Sequence, residues 1–149
     1  MHKILVLNGP NLNLLGKREP EIYGRDSLAK INSDLELMAE QHGFKISAYQ
    51  ENSEGKMIDI LQQAYLNKEY CAIIINAAAY THTSIAIYDI LKLFNIPIME
   101  VHLSDPEKRE EFRHFSYISL VAKDVFKGMG NQGYFLALEK IINLVKNGK

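Results

Sequence analysis

The sequence predicts one α/β domain of 149 residues, with a five-stranded parallel β-sheet and helices on both faces. Short runs of consecutive apolar residues are typical of strands that are buried on both faces. Segments with apolar residues three or four positions apart, typical of amphipathic helices, separate these runs. Since strands that alternate with helices pair in parallel through right-handed crossovers, we expect a flavodoxin-like, doubly wound sheet in a three-layer αβα arrangement.

The first half of the chain begins with a strand signal, because residues 4–7 are continuously apolar. Asp26 and Ser27 offer an N-cap for a helix whose apolar residues follow at helical spacing. Gly43 can end this helix, because glycine readily adopts the left-handed conformation that often follows a helix. Residues 44–49 then alternate like a strand, and residues 57–66 have helical periodicity.

The second half repeats the alternation, starting with the fully apolar residues 72–75. Thr83 or Ser84 can cap the next helix, which carries apolar residues as far as Phe94. Pro97 ends this connection before another apolar run at residues 98–101. A weaker strand signal at residues 125–127 precedes a last helix whose apolar face spans residues 136–145.

Charge and composition exclude several classes of function. Seventeen basic and eighteen acidic residues leave a net charge of −1, which gives no bulk attraction to nucleic acid or to an anionic membrane. No apolar run approaches the ~20 residues that span a bilayer, and the apolar start is too short for a signal peptide, so we expect a cytoplasmic protein. Cys71, the single cysteine, cannot form an intramolecular disulfide and is expected to be buried as a small apolar side chain.

Polar residues stand where three predicted strands end, and ligands of such sheets bind beyond the carboxyl ends of the strands. Asn8 and Asn76 follow the first and third strands, and His102 follows the fourth. Glu100 has the same side-chain parity as His102, so the two can touch and the carboxylate can fix the histidine tautomer. After Asn8, residues 9–25 form a Gly/Pro/Asn-rich segment of a length typical of an active-site lid.

Other readings of these positions find less support. Residues 128–133 match Gly-x-Gly-x-x-Gly, but no strand with an acidic residue about 20 positions on follows, so we interpret them as a turn. Asparagines at the first and third strand ends lack the carboxylates that a magnesium-dependent phospho-acceptor would need. No metal-ligand spacing occurs, although His82, His102 and His114 could meet around zinc in the folded chain.

Six blocks of the sequence resemble the type II 3-dehydroquinate dehydratases, in order along essentially the whole chain. They are residues 8–16 (NGPNLNLLG), 18–24 (REPEIYG), 54–55 (EG), 79–84 (AYTHTS), 100–104 (EVHLS) and 109–114 (REEFRH). The resemblance implies dehydration of 3-dehydroquinate to 3-dehydroshikimate, the third step of the shikimate pathway to aromatic amino acids, or the same step in quinate breakdown. It further implies a flavodoxin-like fold, no metal or organic cofactor, and a homododecamer built as a tetramer of trimers.

The resemblance also implies a role for each matching residue. Tyr23 is the base that removes a proton next to the ketone, Arg18 supports it, and His102 protonates the departing hydroxyl. The remaining positions bind substrate (Asn76, His82, Asp89, Arg113 and the backbone of Leu103 and Ser104) or support the site (Asn11 and Glu100). Two places depart from the family pattern: Ala77-Ala78 stands where Pro-Gly is usual, and Ser53 stands where histidine is common.

The chemistry fits these assignments if the lid assembles the base. A tyrosine hydroxyl ordinarily ionises only near pH 10, so it needs help to act as a base at neutral pH. A permanently charged guanidinium within ~4–6 Å, such as that of Arg18, favours the phenolate. We therefore expect that closure of residues 9–25 completes the base and expels water.

Three questions stay open at the level of the sequence. Asn76 could hold either a water or the enolate oxygen through neutral hydrogen bonds. A lysine Schiff base could give the same product, and Lys127 lies nearest to a suitable strand end. A flavodoxin-like binding or signalling module could use the same loops to hold an anion without turnover.

Overall fold

Strands and helices alternate along residues 2–148, the part of the chain that the computed structural model describes. The strands are β1 (His2–Asn8), β2 (Phe44–Gln50), β3 (Tyr70–Asn76), β4 (Ile98–His102) and β5 (Asp124–Lys127). The helices are α1 (Pro20–Tyr23), α2 (Leu28–Glu40), α3 (Glu54–Asn67), α4 (Ile85–Leu91) and α5 (Gln132–Lys146). Single 3-10 turns lie at Leu12–Leu14, Ala78–His82, Pro106–Lys108, Glu111–Arg113 and Ile118–Leu120.

The strands form one parallel sheet in the order β2-β1-β3-β4-β5. This is the strand order of the flavodoxin-like doubly wound fold, so the predicted fold class is confirmed. Successive strands are added to one side of β1 and then to the other, and the direction changes between β1 and β3. Asn8 and Asn76 are partners in the β1–β3 register, so both polar strand ends lie at this switch point.

Each face of the sheet carries its own apolar core. Ile4 and Val6 point to the face covered by α2 and α5, whereas Leu5 and Leu7 point to the face covered by α3 and α4. All four side chains are fully buried. The continuous apolar run of β1 is therefore explained by the layers of helices on both sides.

Serine hydroxyls cap three of the helices by accepting backbone N–H groups that the first turn leaves unpaired. Ser27 accepts from Lys30 at 3.1 Å at the start of α2. Ser84, and not Thr83, caps α4 by accepting from the Ile87 N–H at 2.9 Å. Ser53 caps α3 in the same way, which gives a structural role to a residue that departs from the family pattern.

Two expectations need correction. Helix α4 ends at Leu91 and does not reach Phe94, because the chain tightens into a turn in which the Phe94 N–H donates to the Leu91 carbonyl. Cys71 is half-buried on β3 and not fully enclosed, and this partial burial raises the pKa of its thiol.

Among residues 2–148, the structure contains no helix with the length and apolar character needed to cross a bilayer.

Candidate active site

One pocket lies beyond the carboxyl ends of β3 and β4, next to the switch point of the sheet. It is lined by the segment 9–25, by the two strand ends and by the loop after β4. Among the residues with an expected role, only Asp89 and Glu100 do not line it. The lining residues with an expected role are Asn11, Arg18, Tyr23, Asn76, His82, His102, Leu103, Ser104 and Arg113.

Two guanidinium groups lie against the ring of Tyr23 in this pocket. The central guanidinium carbon of Arg18 is 4.6 Å from the centre of the ring, and that of Arg109 is 5.3 Å from it. Both distances are within the roughly 6 Å over which a cation is attracted to an aromatic face. The expected contact between Arg18 and Tyr23 is therefore present, and Arg109 adds a second permanent charge.

The segment that carries Arg18 and Tyr23 is folded and is not an open loop. Helix α1 begins with Pro20 at its first position, where proline is favoured because the missing N–H would have no partner in the helix. Gly24 follows α1 with a φ of 89°, a conformation that favours glycine. Tyr23 is thus the last residue of a short helix, and Arg18 precedes that helix by two positions.

The start of this segment is anchored to residues at and beyond the end of β2. The Asn11 N–H donates to the Asn52 side-chain oxygen at 3.1 Å, and the Gln50 side-chain amide donates to the Gly9 carbonyl at 3.1 Å. The pocket beneath encloses only about 60 Å³. Ordinary small-molecule sites occupy roughly 300–1,000 Å³, so this cavity is smaller than a site that holds a ring-sized ligand.

His102 and Glu100 form a buried pair at the end of β4. The two residues point to the same side of the strand, and His102 Nε2 is hydrogen-bonded to Glu100 Oε2, as their parity predicts. Glu100 is 1% exposed and lies behind the histidine, outside the pocket lining. Because Nε2 faces the carboxylate, Nδ1 is the ring nitrogen that remains for a ligand.

Three hydroxyl groups complete the surroundings of the Glu100 carboxylate. Ser119 donates to Oε1 at 2.6 Å, whereas Ser116 and Thr81 donate to Oε2 at 2.7 and 3.3 Å. Burial acts to raise the pKa of Glu100, but the hydrogen bonds from His102, Ser116 and Ser119 outweigh burial and hold that pKa below its ordinary value. Glu100 is therefore an anion at neutral pH.

His82 presents a neutral imidazole to the pocket. Its Nδ1 lies 2.8 Å from the Phe115 carbonyl oxygen, and a carbonyl only accepts, so Nδ1 carries the hydrogen. Burial lowers the pKa of His82, and the nearby His102 and Arg113 lower it further, against the opposing effect of the Phe115 bond. Nε2 is consequently a hydrogen-bond acceptor, which suits a ligand hydroxyl group.

Asn76 is held at the end of β3 by hydrogen bonds on both sides of its amide. The Ala78 N–H donates to Asn76 Oδ1 at 3.1 Å, and Asn76 Nδ2 donates to the Tyr134 hydroxyl at 3.0 Å. Ala78 has a φ of 52°, a left-handed conformation that costs a residue with a Cβ roughly 1–2 kcal/mol. The departure at Ala77-Ala78 thus leaves a strained backbone whose N–H still points at Asn76.

The loop after β4 contributes two arginines to the pocket. Arg109 donates from Nη1 to the Ser104 hydroxyl at 3.3 Å, so the same guanidinium that lies over Tyr23 also contacts the strand end. Arg113 donates from Nε to Glu110 at 2.8 Å. These contacts place two positive charges beside a small cavity, an arrangement suited to an anionic ligand.

The glycines of residues 128–133 lie in the turn between β5 and α5, next to the end of β4. Gly128 and Gly130 have φ values of 75° and 57°, and their N–H groups donate to the carbonyls of Ser104 and Leu103 at 3.0 Å. These bonds tie the turn before α5 to the end of β4. The interpretation of the Gly-x-Gly-x-x-Gly match as a turn is therefore confirmed.

Asp89 is not brought to the pocket. It is exposed on α4 and lies 3.6 Å from Lys92, with which it forms an ion pair. Helix α4 packs on the face of the sheet with α3, and Asp89 does not contribute to the pocket lining. Within one chain, the pocket therefore lacks the carboxylate that the resemblance implies at position 89.

Two alternative chemistries receive no support from the side chains. Lys127 does not line the pocket and is hydrogen-bonded to Glu107, and that bond raises the pKa of Lys127. A Schiff-base lysine needs the opposite shift. Within residues 2–148, no three metal-binding side chains come close enough to hold an ion, so His82, His102 and His114 do not meet around zinc.

Two residues of the site were not assigned a role from the sequence. Arg109 stands in the block at residues 109–114, but only the fold shows that it reaches Tyr23. Tyr134 precedes the apolar face predicted for the last helix, and its hydroxyl contact with Asn76 spans 58 positions of sequence. Hydrophobic periodicity predicts helices and strands, but it does not predict which side chains from different parts of the chain will contact each other.

Comparisons with known proteins agree on one family. The model of the family described as "Dehydroquinase class II" matches residues 2–142. A 3-dehydroquinate dehydratase from Legionella pneumophila (strain Corby) is 53% identical over 98% of this chain and 100% of the relative, and one from Cereibacter sphaeroides is 48% identical over 97% of each. The crystal structure of the type II dehydroquinase from Propionibacterium acnes superposes with a TM-score of 0.91 at 38% identity, over 96% of this chain and 97% of the other.

Proposed function

This chain belongs to the type II dehydroquinase family, and we propose that it catalyses the dehydration of 3-dehydroquinate to 3-dehydroshikimate, a step of the shikimate pathway, in the pocket described above. The observation that carries the assignment of this pocket is the contact of two guanidinium groups with the Tyr23 ring, in the same small cavity as His102, whose imidazole is paired with the buried Glu100. The cavity thus contains both a candidate base and a candidate acid.

Proton abstraction is assigned to Tyr23. The permanent charges of Arg18 and Arg109 stabilise a phenolate, which takes the proton from the carbon next to the ketone. The electrons of that C–H bond move into the carbonyl and form an enolate. Arg18 lies on the same segment as Tyr23, whereas Arg109 lies on the loop after β4, so closure of residues 9–25 would bring Tyr23 to its second guanidinium and exclude water in one movement.

The Asn76 side-chain amide is assigned to substrate binding, where it holds a ligand oxygen either directly or through a water. Asn76 Oδ1 already accepts from Ala78, so the Nδ2 group is the part of the amide that can donate to such an oxygen. A neutral donor suffices here, because a positioned hydrogen bond in a closed site stabilises a ligand oxygen without proton transfer.

Loss of the hydroxyl group is assigned to His102. Its protonated Nδ1 gives a proton to the departing hydroxyl while the enolate electrons form the new carbon–carbon double bond, so one water leaves for each substrate. The Glu100 anion at Nε2 stabilises the cationic imidazole before the transfer. Tyr23 gains one proton and His102 loses one, so the starting states return when Tyr23 releases a proton to solvent and His102 takes one up.

The remaining residues are assigned to substrate binding. His82 accepts from a substrate hydroxyl through Nε2, and Arg113 provides a charged donor on the same wall. The backbone at Leu103 and Ser104, held by the glycine turn, takes the substrate carboxylate. Asn11 supports the lid through its backbone bond to Asn52.

A larger assembly is part of the proposal. We assign the chain to a homododecamer, a tetramer of trimers, in which each chain is one catalytic domain (residues 1–149) with residues 9–25 as its lid. Large exposed apolar side chains next to the site support an interface: Phe112 is 73% exposed and Leu120 is 58% exposed. Asp89 contacts substrate only if it belongs to a neighbouring chain. The expected mass of the assembly is twelve times the 17.0 kDa of one chain, and a cytoplasmic location stays a prediction from the sequence.

A continuous ultraviolet assay tests the activity. The conjugated enone of 3-dehydroshikimate absorbs, whereas 3-dehydroquinate does not, so turnover gives a rising signal. We expect turnover that persists in the presence of a chelator and after dialysis. A folded protein that binds 3-dehydroquinate without turnover would contradict the proposal and favour an anion-binding module.

Borohydride reduction during turnover separates the proposed route from a lysine Schiff base. The proposed route forms no imine, so the mass of the protein is expected to stay unchanged. A covalent adduct on any lysine, and on Lys127 first of all, would overturn the assignment of Tyr23 as the base.

A further inference from the structure

We propose that Tyr134 is a positioning residue, which fixes the side-chain amide of Asn76 with its nitrogen toward the ligand. Tyr134 lies on α5, remote in sequence from every residue assigned above, and it does not line the pocket. The inference rests on the proposed function, because that function makes Asn76 a substrate-binding residue of this pocket.

A chain of hydrogen bonds connects the two strand ends at the switch point of the sheet through Tyr134. The Ala78 N–H donates to Asn76 Oδ1 at 3.1 Å, and Asn76 Nδ2 donates to the Tyr134 hydroxyl oxygen at 3.0 Å. The Tyr134 hydroxyl then donates to Asn8 Oδ1. All three side chains are 3% exposed or less, so bulk water does not compete for these bonds.

The direction of every bond in this chain follows from its first member. A backbone N–H can only donate, so the atom of Asn76 that faces Ala78 must be the oxygen. The nitrogen of Asn76 therefore faces Tyr134 and donates to it. The tyrosine oxygen, having accepted one hydrogen, sends its own hydrogen to Asn8. Burial raises the pKa of Tyr134, so this hydroxyl keeps its proton throughout the working range of pH.

The orientation matters because an asparagine amide has two nearly isosteric ends of opposite character. With its oxygen toward the ligand, Asn76 would repel a ligand oxygen that has no hydrogen to donate, whereas with its nitrogen toward the ligand it donates a hydrogen bond to that oxygen. The bond from the Ala78 N–H determines which end of the Asn76 amide is the oxygen. The bond to the Tyr134 hydroxyl then holds the plane of the amide, and with it the direction of the second N–H. One N–H of Asn76 Nδ2 is used by Tyr134, which leaves the other for the ligand.

The turn before α5 explains how Tyr134 reaches this position. A Cβ on Gly133 would lie 3.3 Å from the Val101 side chain and 3.5 Å from that of Phe126, so glycine allows the start of α5 to lie close against β4 and β5. Tyr134, the next residue, is fully buried and projects toward the ends of β1 and β3. The last glycine of the Gly-x-Gly-x-x-Gly segment at residues 128–133 thus has a packing role that does not involve a nucleotide.

A purely structural role for the Tyr134 hydroxyl predicts different results. In that case, Tyr134→Phe would lower thermal stability, because two buried amides lose a partner, but kcat measured well below the melting temperature would not change. Positioning of Asn76 predicts a loss of kcat that depends on the presence of Asn76. The two roles can therefore be separated by a double-mutant cycle.

The experiment measures kcat, KM and melting temperature for Tyr134→Phe, Asn76→Ala and the double variant with 3-dehydroquinate. We expect Tyr134→Phe to lower kcat by about 10- to 100-fold with KM changed less than threefold, since small displacements of a positioned group have effects of this size. In the Asn76→Ala background, the same substitution should leave kcat unchanged within twofold and still lower the melting temperature. Equal loss of kcat in both backgrounds, or no loss in the wild-type background, would overturn the proposal.

Tyr70→Phe is the matched control. It removes a half-buried tyrosine hydroxyl at the opposite end of the strand that carries Asn76, outside the pocket. We expect it to leave kcat and KM unchanged.

A second variant keeps the proposal falsifiable if Tyr134→Phe does not fold. Asn8→Ala removes the acceptor of the tyrosine hydrogen together with the buried Asn8 Nδ2, which has no partner among residues 2–148. Because an unpaired donor leaves with the side chain, we expect this variant to fold and to lose kcat at least fivefold through Tyr134. Unchanged kcat would contradict the proposal. Absence of turnover in the wild-type protein would instead contradict the proposed function.

Discussion

Replacing Ser116 by alanine removes one of the donors that hold the Glu100 carboxylate in its ionised form. The Ser116 hydroxyl lies 2.7 Å from Glu100 Oε2, on the same oxygen that faces His102. A hydrogen bond to a charged group contributes about 1.5–3 kcal/mol to stability, and one between neutral groups contributes about 0.5–1.5 kcal/mol. Because Ser116 is half-buried, a water molecule can partly replace its hydroxyl in the variant. We therefore expect a loss in the free energy of unfolding at the lower end of the range for charged groups, about 1.5 kcal/mol at pH 7.

The sign of the pH dependence follows from the lowered pKa of Glu100 in the folded protein. Ionised Glu100 contributes stability that is fully present above about pH 4.3, the ordinary value for glutamate, and is lost as the pH falls through the lower pKa of the folded state. Removing a donor to the anion raises that folded-state pKa. The cost of Ser116→Ala is therefore largest at neutral pH and shrinks toward about 0.5 kcal/mol once Glu100 is protonated.

Urea unfolding of wild type and Ser116→Ala at pH 7, and at steps down to the lowest pH at which both proteins fold, measures this difference. Ser84→Ala is the matched control, because it removes a serine hydroxyl that caps α4 and contacts no ionisable group. Its cost, about 1 kcal/mol, should not change with pH. A Ser116→Ala cost that stays as constant as that of the control would refute the argument that this hydroxyl stabilises the Glu100 anion.

Three further predictions concern the lid, the strained turn and the core. Arg109→Lys should lower kcat by about 2- to 30-fold, since a stacked guanidinium over Tyr23 contributes about 0.5–2 kcal/mol, and unchanged steady-state kinetics would exclude the contact from catalysis. Ala78→Gly should raise the melting temperature by about 2–4 °C by removing the strain at a φ of 52°, and calorimetry showing a decrease would contradict that strain. Ile74→Ala should cost about 2–5 kcal/mol in urea unfolding, because Ile74 is fully buried at the centre of the sheet, whereas a cost below 1 kcal/mol would mean that the site collapses around the smaller side chain.

The architecture could be predicted from the sequence because its main signals are local. Continuous apolar runs at residues 4–7 and 72–75 mark strands buried by helices on both faces, and the structure has β1 and β3 there. The end of α4 could not be predicted in the same way, because the last carbonyls of this helix accept hydrogen bonds from a turn that no side-chain pattern indicates.

The pairs within the site could be predicted only where they are close in sequence. Glu100 and His102 lie on one strand face, and Arg18 and Tyr23 lie on one short segment, so parity and proximity indicate their contacts. The Arg109–Tyr23 contact depends on how the loop after β4 meets the lid, which only the folded chain determines. The same holds for the hydroxyl groups around Glu100.

Asp89 illustrates the other limit. The resemblance assigns position 89 a role in binding, but the folded chain places this carboxylate on the outer side of α4, paired with Lys92. A sequence records the identity of a residue and not which copy of the chain will present it. Only the assembly state can decide whether a neighbouring Asp89 completes the pocket.

Tyr23→Phe, assayed for turnover and for binding on the same preparation, tests the central claim most directly. The variant removes the one hydroxyl that can become the base and keeps the ring that contacts Arg18 and Arg109. We predict that kcat in the ultraviolet assay falls by at least ~10²-fold, the lower end of the usual contribution of general base catalysis. Calorimetric affinity for 3-dehydroshikimate should change less than threefold. A kcat close to that of the wild type would show that another group removes the proton, and the account of the lid as the carrier of the base would be wrong.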